Sequence, residues 1–522
     1  MTRPVYITTP LYYVNAAPHI GHSYTEVASD CLARYYRLRG DEVFFLTGTD
    51  EHGEKIFQAA QAQGLSPQAF VDRNSRIFKD LWPVLGISYD RFIRTTDADH
   101  IAVVQQVLEQ LRPQLQRGPY KFWYCVPCET SFGLSEIDAA KPLCLNCQRP
   151  VKHIEEEDYY LSLETHRAWL REYIQQHDTF ILPTERRNEI LALLNNPLPD
   201  LCITRPKDRV PWGIPVPFSP VHVTYVWFDA LINYISALGW PNDPKFRRYW
   251  KEAGAIHLIG KDILRHHALY WPIILHALEI PPPKMIFAHG WWKIGEQKMS
   301  KSLGNIVEPS TVVNVLLKGQ PYAADVYRYF LLRDVPFGHD GNFSEDAILT
   351  RLSDDLANDL GNLVYRTLSM IERYCGGRVP VLGPVGCAEA DLPLQQHAVA
   401  LAGRVESAMQ TLQFSDALTA MFEVVSHANR YIEAQAPWKL AKTQQLPRLE
   451  TVLAALVEVI RIVSIALEPF MPRVSDAIWE QLGMTTPKRH ADATQWPGMP
   501  GGQAIRKAAV LFPRMEKQEA RV

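Results

Sequence analysis

The sequence predicts an α/β protein: a doubly wound parallel sheet, broken by a cysteine-bearing insertion and followed by an all-α helical bundle. Three observations carry that prediction. The chain opens on a βαβ pattern, two CxxC pairs sit in a stretch from about residue 117 to 222 that breaks the pattern, and apolar residues take heptad-like spacing from about residue 350. A chain of 522 residues has room for three or four domains at roughly 100–200 residues each.

The opening strand is read from the β-prone Val5-Tyr6-Ile7-Thr8, and Pro10 to Pro18 is a turn-rich passage. Val27, Ala28, Cys31, Leu32, Tyr35 and Leu38 then share one face of a helix, which Gly40 ends as a C-terminal cap. Val43-Phe44-Phe45-Leu46 is short and wholly apolar, as suits a buried parallel strand. Such a unit places its ligand at the carboxyl ends of the strands. Past a Pro-rich exit at Pro197 to Pro220, the α/β pattern resumes at Tyr225-Val226-Trp227-Phe228 and Ile256-His257-Leu258-Ile259-Gly260. Helical spacing then runs through Leu352 to Tyr374, Ala398 to Leu412, Ala417 to Ala434 and Val452 to Leu467.

Composition narrows the function classes. With 47% hydrophobic and 21% charged residues the chain reads as globular, and 54 basic against 57 acidic side chains leave a formal charge of −3. From residue 351 onward 18 basic residues face 18 acidic ones, so any RNA contact is a local patch rather than a basic tail. The apolar stretch Val452 to Leu467 is interrupted by Glu458 and Arg461, which argues against a membrane span. No secretory leader is expected ahead of Val5, and the default address is the cytoplasm.

Cys125-Val126-Pro127-Cys128 and Cys144-Leu145-Asn146-Cys147 stand fifteen residues apart. Each CxxC turn supplies two thiolates, and two such turns complete a tetrahedron around one structural Zn²⁺ with no open position for catalysis. A redox pair or an iron–sulfur cluster competes, but a redox CxxC stands alone at a helix start. The other four cysteines, Cys31, Cys202, Cys375 and Cys387, show no such spacing.

Two segments point to phosphate chemistry. Pro18-His19-Ile20-Gly21-His22 lies where the first loop enters the first helix, a place that favours anions, and Gly21 lets the backbone come close to a phosphate. Lys298-Met299-Ser300-Lys301-Ser302, followed by Leu303-Gly304-Asn305, is a cationic loop suited to charge developing on a triphosphate. Either segment alone has a bland explanation, a structural pair of His and a solvated loop.

Together they resemble the two signatures of class I aminoacyl-tRNA synthetases. The methionine-specific family is the one resembled over nearly the whole chain, through Thr8 to Tyr13, Thr47-Gly48-Thr49-Asp50-Glu51-His52-Gly53, Tyr225 to Ala230 and Gly260-Lys261-Asp262-Ile263. The resemblance implies that His19 and His22 hold the ATP phosphates and that Lys301, assisted by Lys298, stabilises the transition state of adenylate formation. Gly260 and Asp262 face the adenosine. The methionine pocket is implied at Leu11, Tyr13, Trp227, Ala230, Leu231, Tyr234, Ile263 and His267, with Asp50 on the substrate ammonium; some members have Pro where this chain has Leu231. Asn362, Arg366 and Trp438 are implied to read the anticodon, a polar pair on one helix face with an indole for stacking.

The same resemblance implies a reaction, partners and domains. L-Methionine and ATP, with Mg²⁺ on the phosphates, give methionyl-adenylate and pyrophosphate, and tRNA(Met) then takes the methionyl group. The expected domains are a Rossmann-like catalytic domain at 1–116 and 223–300, a connective insertion with the zinc knuckle at 117–222, a segment at 301–350 carrying the second signature's end and the stem contact, and an anticodon-binding domain at 351–522. A monomer is expected, because the appended β-barrel that dimerises some relatives is not seen before Val522.

Overall fold

The computed structural model describes residues 2–126, 130–145, 147–294, 297–298, 307–381, 389–506 and 509–515. A parallel sheet organises the first half. Its strands run in the order Tyr12–Tyr13, Glu42–Asp50, Pro4–Thr8, Ala255–Gly260, Met285–His289, Ile181–Leu182, and Arg91–Arg94 also pairs with Glu42–Asp50. The first strand is central, flanked by Glu42–Asp50 on one side and Ala255–Gly260 on the other, with Thr8 in register with Leu46 and with His257. A crevice at the carboxyl ends of such strands is where a doubly wound fold binds its ligand.

The first helix, Ile20–Leu38, begins inside the His-Ile-Gly-His segment, where the loop was expected to enter it. Arg39 caps it and Gly40 follows at φ +87°, a left-handed backbone that glycine takes without strain. The second strand is longer than its apolar run. Glu42–Asp50 carries Thr47, Thr49 and Asp50 at its carboxyl end, all buried. Tyr225 precedes the helix Val226–Ser236, which turns Ala230, Leu231 and Tyr234 into the core.

The insertion forms its own antiparallel sheet, in the order Thr130–Phe132, Leu115–Cys125, Lys152–Leu161, Leu201–Cys202. It is interleaved with the catalytic sheet rather than appended to it. Ile181–Leu182 pairs in parallel with Met285–His289, and Trp169 of the helix Glu164–Gln176 stacks on His276 at 3.8 Å and 13°.

The helices Asn362–Tyr374, Leu392–Gln410, Phe414–Gln435 and Leu446–Leu467 fall where the apolar spacing placed them, and Pro472–Gln481 adds another. Their core is continuous with that under the first helix. Arg328, fully buried in the helix Ala323–Arg333, ties the parts together: it pairs with Asp30 at 2.7 Å and donates to the carbonyls of Pro469 and Phe470 at 2.9 Å. A guanidinium this deeply buried is tolerable because its donors are met.

Candidate active site

The start of the first helix is built from its own histidines. His19 Nδ1 accepts the Gly21 N–H at 3.1 Å, and His22 Nδ1 accepts the His19 N–H at 3.1 Å. The rings stack 3.8 Å apart at 25°. A His22 ring that accepts at Nδ1 carries its proton on Nε2 when neutral. Burial, then the charge of His19, keep His22 well below the usual histidine range, so it is neutral at working pH. Glycine is demanded between them: a Cβ on Gly21 would sit 2.9 Å from the His19 ring.

These residues border a cavity of about 310 Å³, which also meets Leu11, Tyr13, Trp227, Gly260, Asp262 and Ile263. Nine of the residues singled out in the sequence thus line one space. Asp262 accepts the Trp291 indole N–H at 3.1 Å, and a Cβ on Gly260 would lie 2.6 Å from its carboxylate, so this wall is closely fitted.

Tied to Ile263, outside the cavity's lining, lies a buried polar pair. The Tyr234 hydroxyl is 2.7 Å from His267 Nε2, and His267 Nδ1 is 3.0 Å from the Ile263 carbonyl oxygen. A carbonyl only accepts, so His267 carries its proton on Nδ1 and Tyr234 donates to Nε2. Burial pushes His267 down to about 4, despite the Ile263 bond and the nearby Asp262, and keeps it neutral. Ala230 and Leu231 sit on the same helix, both buried. Trp227 stacks on His266 at 3.9 Å and 22°.

Asp50 ends its strand almost fully buried, and its Oδ1 has no hydrogen-bond partner among the described residues. Burial, then Asp229 and Glu51, push its carboxyl well above the usual range. Backbone N–H groups of Glu51 and His52 offset this in part, and a cation entering beside the unpartnered oxygen would favour the ionised form. Asp229 differs. Burial opposes its ionisation, but His52 Nδ1 and His100 Nε2 each reach it at 2.7 Å and hold it below the usual range.

The second signature is described in part. Gln297–Lys298 pairs with Trp292–Ile294, whereas Lys301 lies outside the described residues. Thr25, Lys55, His289, Gly290 and Trp291 also border the cavity and were missed in the sequence. His289, whose Nε2 is 2.7 Å from the Thr25 hydroxyl, ends the strand Met285–His289. The rule that ligands meet strand carboxyl ends would have flagged it.

In the insertion, the Sγ atoms of Cys125, Cys144 and Cys147 lie within 4.8 Å of one another, and Cys125 and Cys147 are 3.6 Å apart. Cys128 lies outside the described residues. Two thiolates about 2.3 Å from one tetrahedral ion stand about 3.8 Å apart, so the three thiols are placed to hold a metal ion. Phe132, Ile137 and Val151 pack around them in a small core of their own.

Residues 5–368 match the family model described as "tRNA synthetases class I (M)", and residues 396–506 match that of the anticodon-binding domain of tRNA ligase. The methionine–tRNA ligase of Caldanaerobacter subterraneus is 45% identical over 99% of this chain and 80% of its own length. That of Thermotoga maritima is 41% identical over 98% and 81%. The chain belongs to the methionine-specific class I tRNA synthetases. The Mycobacterium tuberculosis member solved with methionyl-adenylate superposes with a TM-score of 0.92 at 40% identity, covering 98% of this chain and 100% of that one.

The family's second part, the helical bundle, brings two of the remaining sequence candidates together. The Arg366 guanidinium lies 5.6 Å from the centre of the Trp438 ring and pairs with Glu433 at 2.7 Å. Trp438 is 37% exposed, a large indole face turned to solvent. Asn362, one turn before Arg366 on the helix Asn362–Tyr374, is exposed as well.

Proposed function

We propose that this chain is a methionine–tRNA ligase, which activates L-methionine with ATP to methionyl-adenylate and pyrophosphate and passes the methionyl group to the 3′ end of tRNA(Met). The observation that carries the reading is the single cavity of about 310 Å³ bordered at once by His19 and His22 and by Leu11, Tyr13, Trp227 and Ile263. Two reactants held in one space need little more than positioning and charge stabilisation to react.

The residue roles follow from that placement. His19 and His22, with Gly21, receive the phosphates, and Gly260 and Asp262 take the adenosine. Lys298 and Lys301 meet the charge that develops as pyrophosphate leaves. Asp50 pairs with the substrate ammonium, supported by its unpartnered buried oxygen. The thioether runs past Trp227 toward Tyr234 and His267, with Ala230 and Leu231 behind it, where aromatic–sulfur contacts are favourable by about 0.3–1.5 kcal/mol each. Asn362 and Arg366 hydrogen-bond an anticodon base and Trp438 stacks on it. The proposed domains are 1–116 with 223–300 for catalysis, 117–222 for the insertion, 301–350 for the connecting segment and 351–522 for the anticodon.

One structural Zn²⁺ on Cys125, Cys128, Cys144 and Cys147, Mg²⁺ with ATP, and a monomeric cytoplasmic enzyme complete the proposal. No described helix is long and apolar enough to cross a membrane. Pyrophosphate exchange into ATP, run with each amino acid in turn, tests the reading. Exchange driven by methionine alone is expected; exchange with another amino acid, or none, overturns it.

A further inference from the structure

Lys298, the first residue of the second signature, lies in a three-stranded sheet that local sequence does not announce. Gln297–Lys298 pairs antiparallel with Trp292–Ile294, setting Lys298 opposite Lys293. Trp292–Ile294 pairs in parallel with Gly341–Asn342, setting Trp292 opposite Gly341. Further along the chain from Lys298, the Val307 carbonyl accepts the Ile20 N–H of the first signature's helix at 3.0 Å.

Asp340, just before Gly341, is the hub of this junction. One carboxylate oxygen accepts from Lys261 Nζ at 2.7 Å and from the Trp291 backbone N–H at 2.9 Å, and the other lies 2.7 Å from Lys293 Nζ. Lys261 also sits over the Trp291 ring, 4.2 Å from its centre, and Trp291 donates to Asp262. Trp291 and Asp262 both border the cavity. The strands approach so closely that a Cβ on Gly290 would lie 2.2 Å from the His339 carbonyl oxygen. Burial opposes ionisation of Asp340, but the two ammonium groups and the amide hold its carboxyl far below the usual range. A carboxylate with three charged or backbone donors from separate points of the chain fixes those points relative to one another.

We propose that Asp340 is a positioning residue for adenylate formation: through Lys261, Lys293 and Trp291 it holds the hairpin carrying the second signature against the nucleotide wall. The inference rests on the reading of this cavity as the ATP site. It also places a residue of the segment leading into the helical bundle in control of the geometry at the phosphates, although Asp340 itself is not among the residues that border the cavity. Lys298 is then tied through Lys293 to Asp340, and Val307 to the helix of the first signature.

Methionine-dependent pyrophosphate exchange tests this, with ATP and methionine varied separately for the wild-type chain, Asp340→Asn, Asp340→Ala and Asp340→Glu, alongside melting temperatures. Asparagine keeps the shape and loses the charge. Both Asp340→Asn and Asp340→Ala are expected to lower exchange kcat or raise the KM for ATP by roughly ten- to a hundredfold, the cost of a small misplacement at a reacting centre. The KM for methionine and the melting temperature are expected to stay unchanged, and Asp340→Glu to recover part of the loss. Unchanged ATP kinetics in both variants overturn the inference. So does a joint rise in methionine KM and fall in melting temperature, which marks a carboxylate that merely supports the fold. Absence of exchange in the wild-type chain overturns the reading of the site itself, and the inference with it.

Discussion

The Tyr234 hydroxyl donates to His267 Nε2 across 2.7 Å, and the Ile263 carbonyl, by taking the proton of Nδ1, fixes the direction of that bond. Two residues 33 positions apart thereby form one neutral, buried polar pair, tied through the Ile263 carbonyl to a residue that borders the cavity. Replacing Tyr234 with Phe leaves a buried imidazole nitrogen without its donor, at a cost of about 1–3 kcal/mol. The KM for methionine in pyrophosphate exchange is expected to rise roughly five- to a hundredfold, at 1.4 kcal/mol per factor of ten, with the KM for ATP unchanged. An equal rise in both would place the defect in the fold.

Trp438→Ala removes an exposed indole that the Arg366 guanidinium faces at 5.6 Å. Stacking on a base contributes about 1–3 kcal/mol, so tRNA charging is expected to fall roughly five- to a hundredfold. Methionine-dependent exchange without tRNA is expected to be untouched. Comparing the two assays on the same preparation separates an anticodon contact from a structural one.

Glu26 sits fully buried in the first helix, one oxygen accepting from the Thr47 hydroxyl and the other without a partner among the described residues. Burial pushes its carboxyl up to about 8, against the opposing hydrogen bonds of Thr47, Tyr12 and Thr9. The folded chain therefore holds a proton that the unfolded chain gives up near about 4.3. With the folded value raised, the stabilisation is full below the unfolded value and is lost as pH rises toward and through about 8. Glu26→Gln is expected to flatten the fall in melting temperature between pH 6 and pH 9, a difference on the order of a few kcal/mol. Parallel curves for the two proteins would refute it.

Cys144→Ser removes one of three thiols clustered within 4.8 Å. Metal analysis of the purified chain is expected to find zinc near one equivalent, and the variant to lose most of it. The melting temperature is expected to drop with it, since Phe132, Ile137 and Val151 make a core too small to stand without a staple. Iron in place of zinc, or an unaltered metal content in the variant, would contradict a four-thiolate zinc site.

Local features were legible because contiguous residues set them. The His19–His22 segment starts a helix and caps it with its own rings, the apolar spacing of 352 to 467 marks the bundle helices, and the cysteine pairs mark the knuckle. The polar tail of the strand Glu42–Asp50 hid its true length, since Thr47 and Thr49 are buried and bonded to Thr9 and Ser75, contacts that no alternation pattern records.

By itself the sequence determined which chemical groups were available and at what local spacing: paired imidazoles at a helix start, a lysine-flanked loop, paired thiols, an indole beside a helix. Only the tertiary structure decided which groups meet. Thr25 and His289 bond across 264 positions, Asp229 lies between His52 and His100, and Asp340 gathers Lys261 and Lys293 from two separate segments. Those encounters follow from strand order and sheet twist, which bring distant strand ends together at one edge. Their energies depend on burial, which no residue possesses until the whole sheet has closed around it.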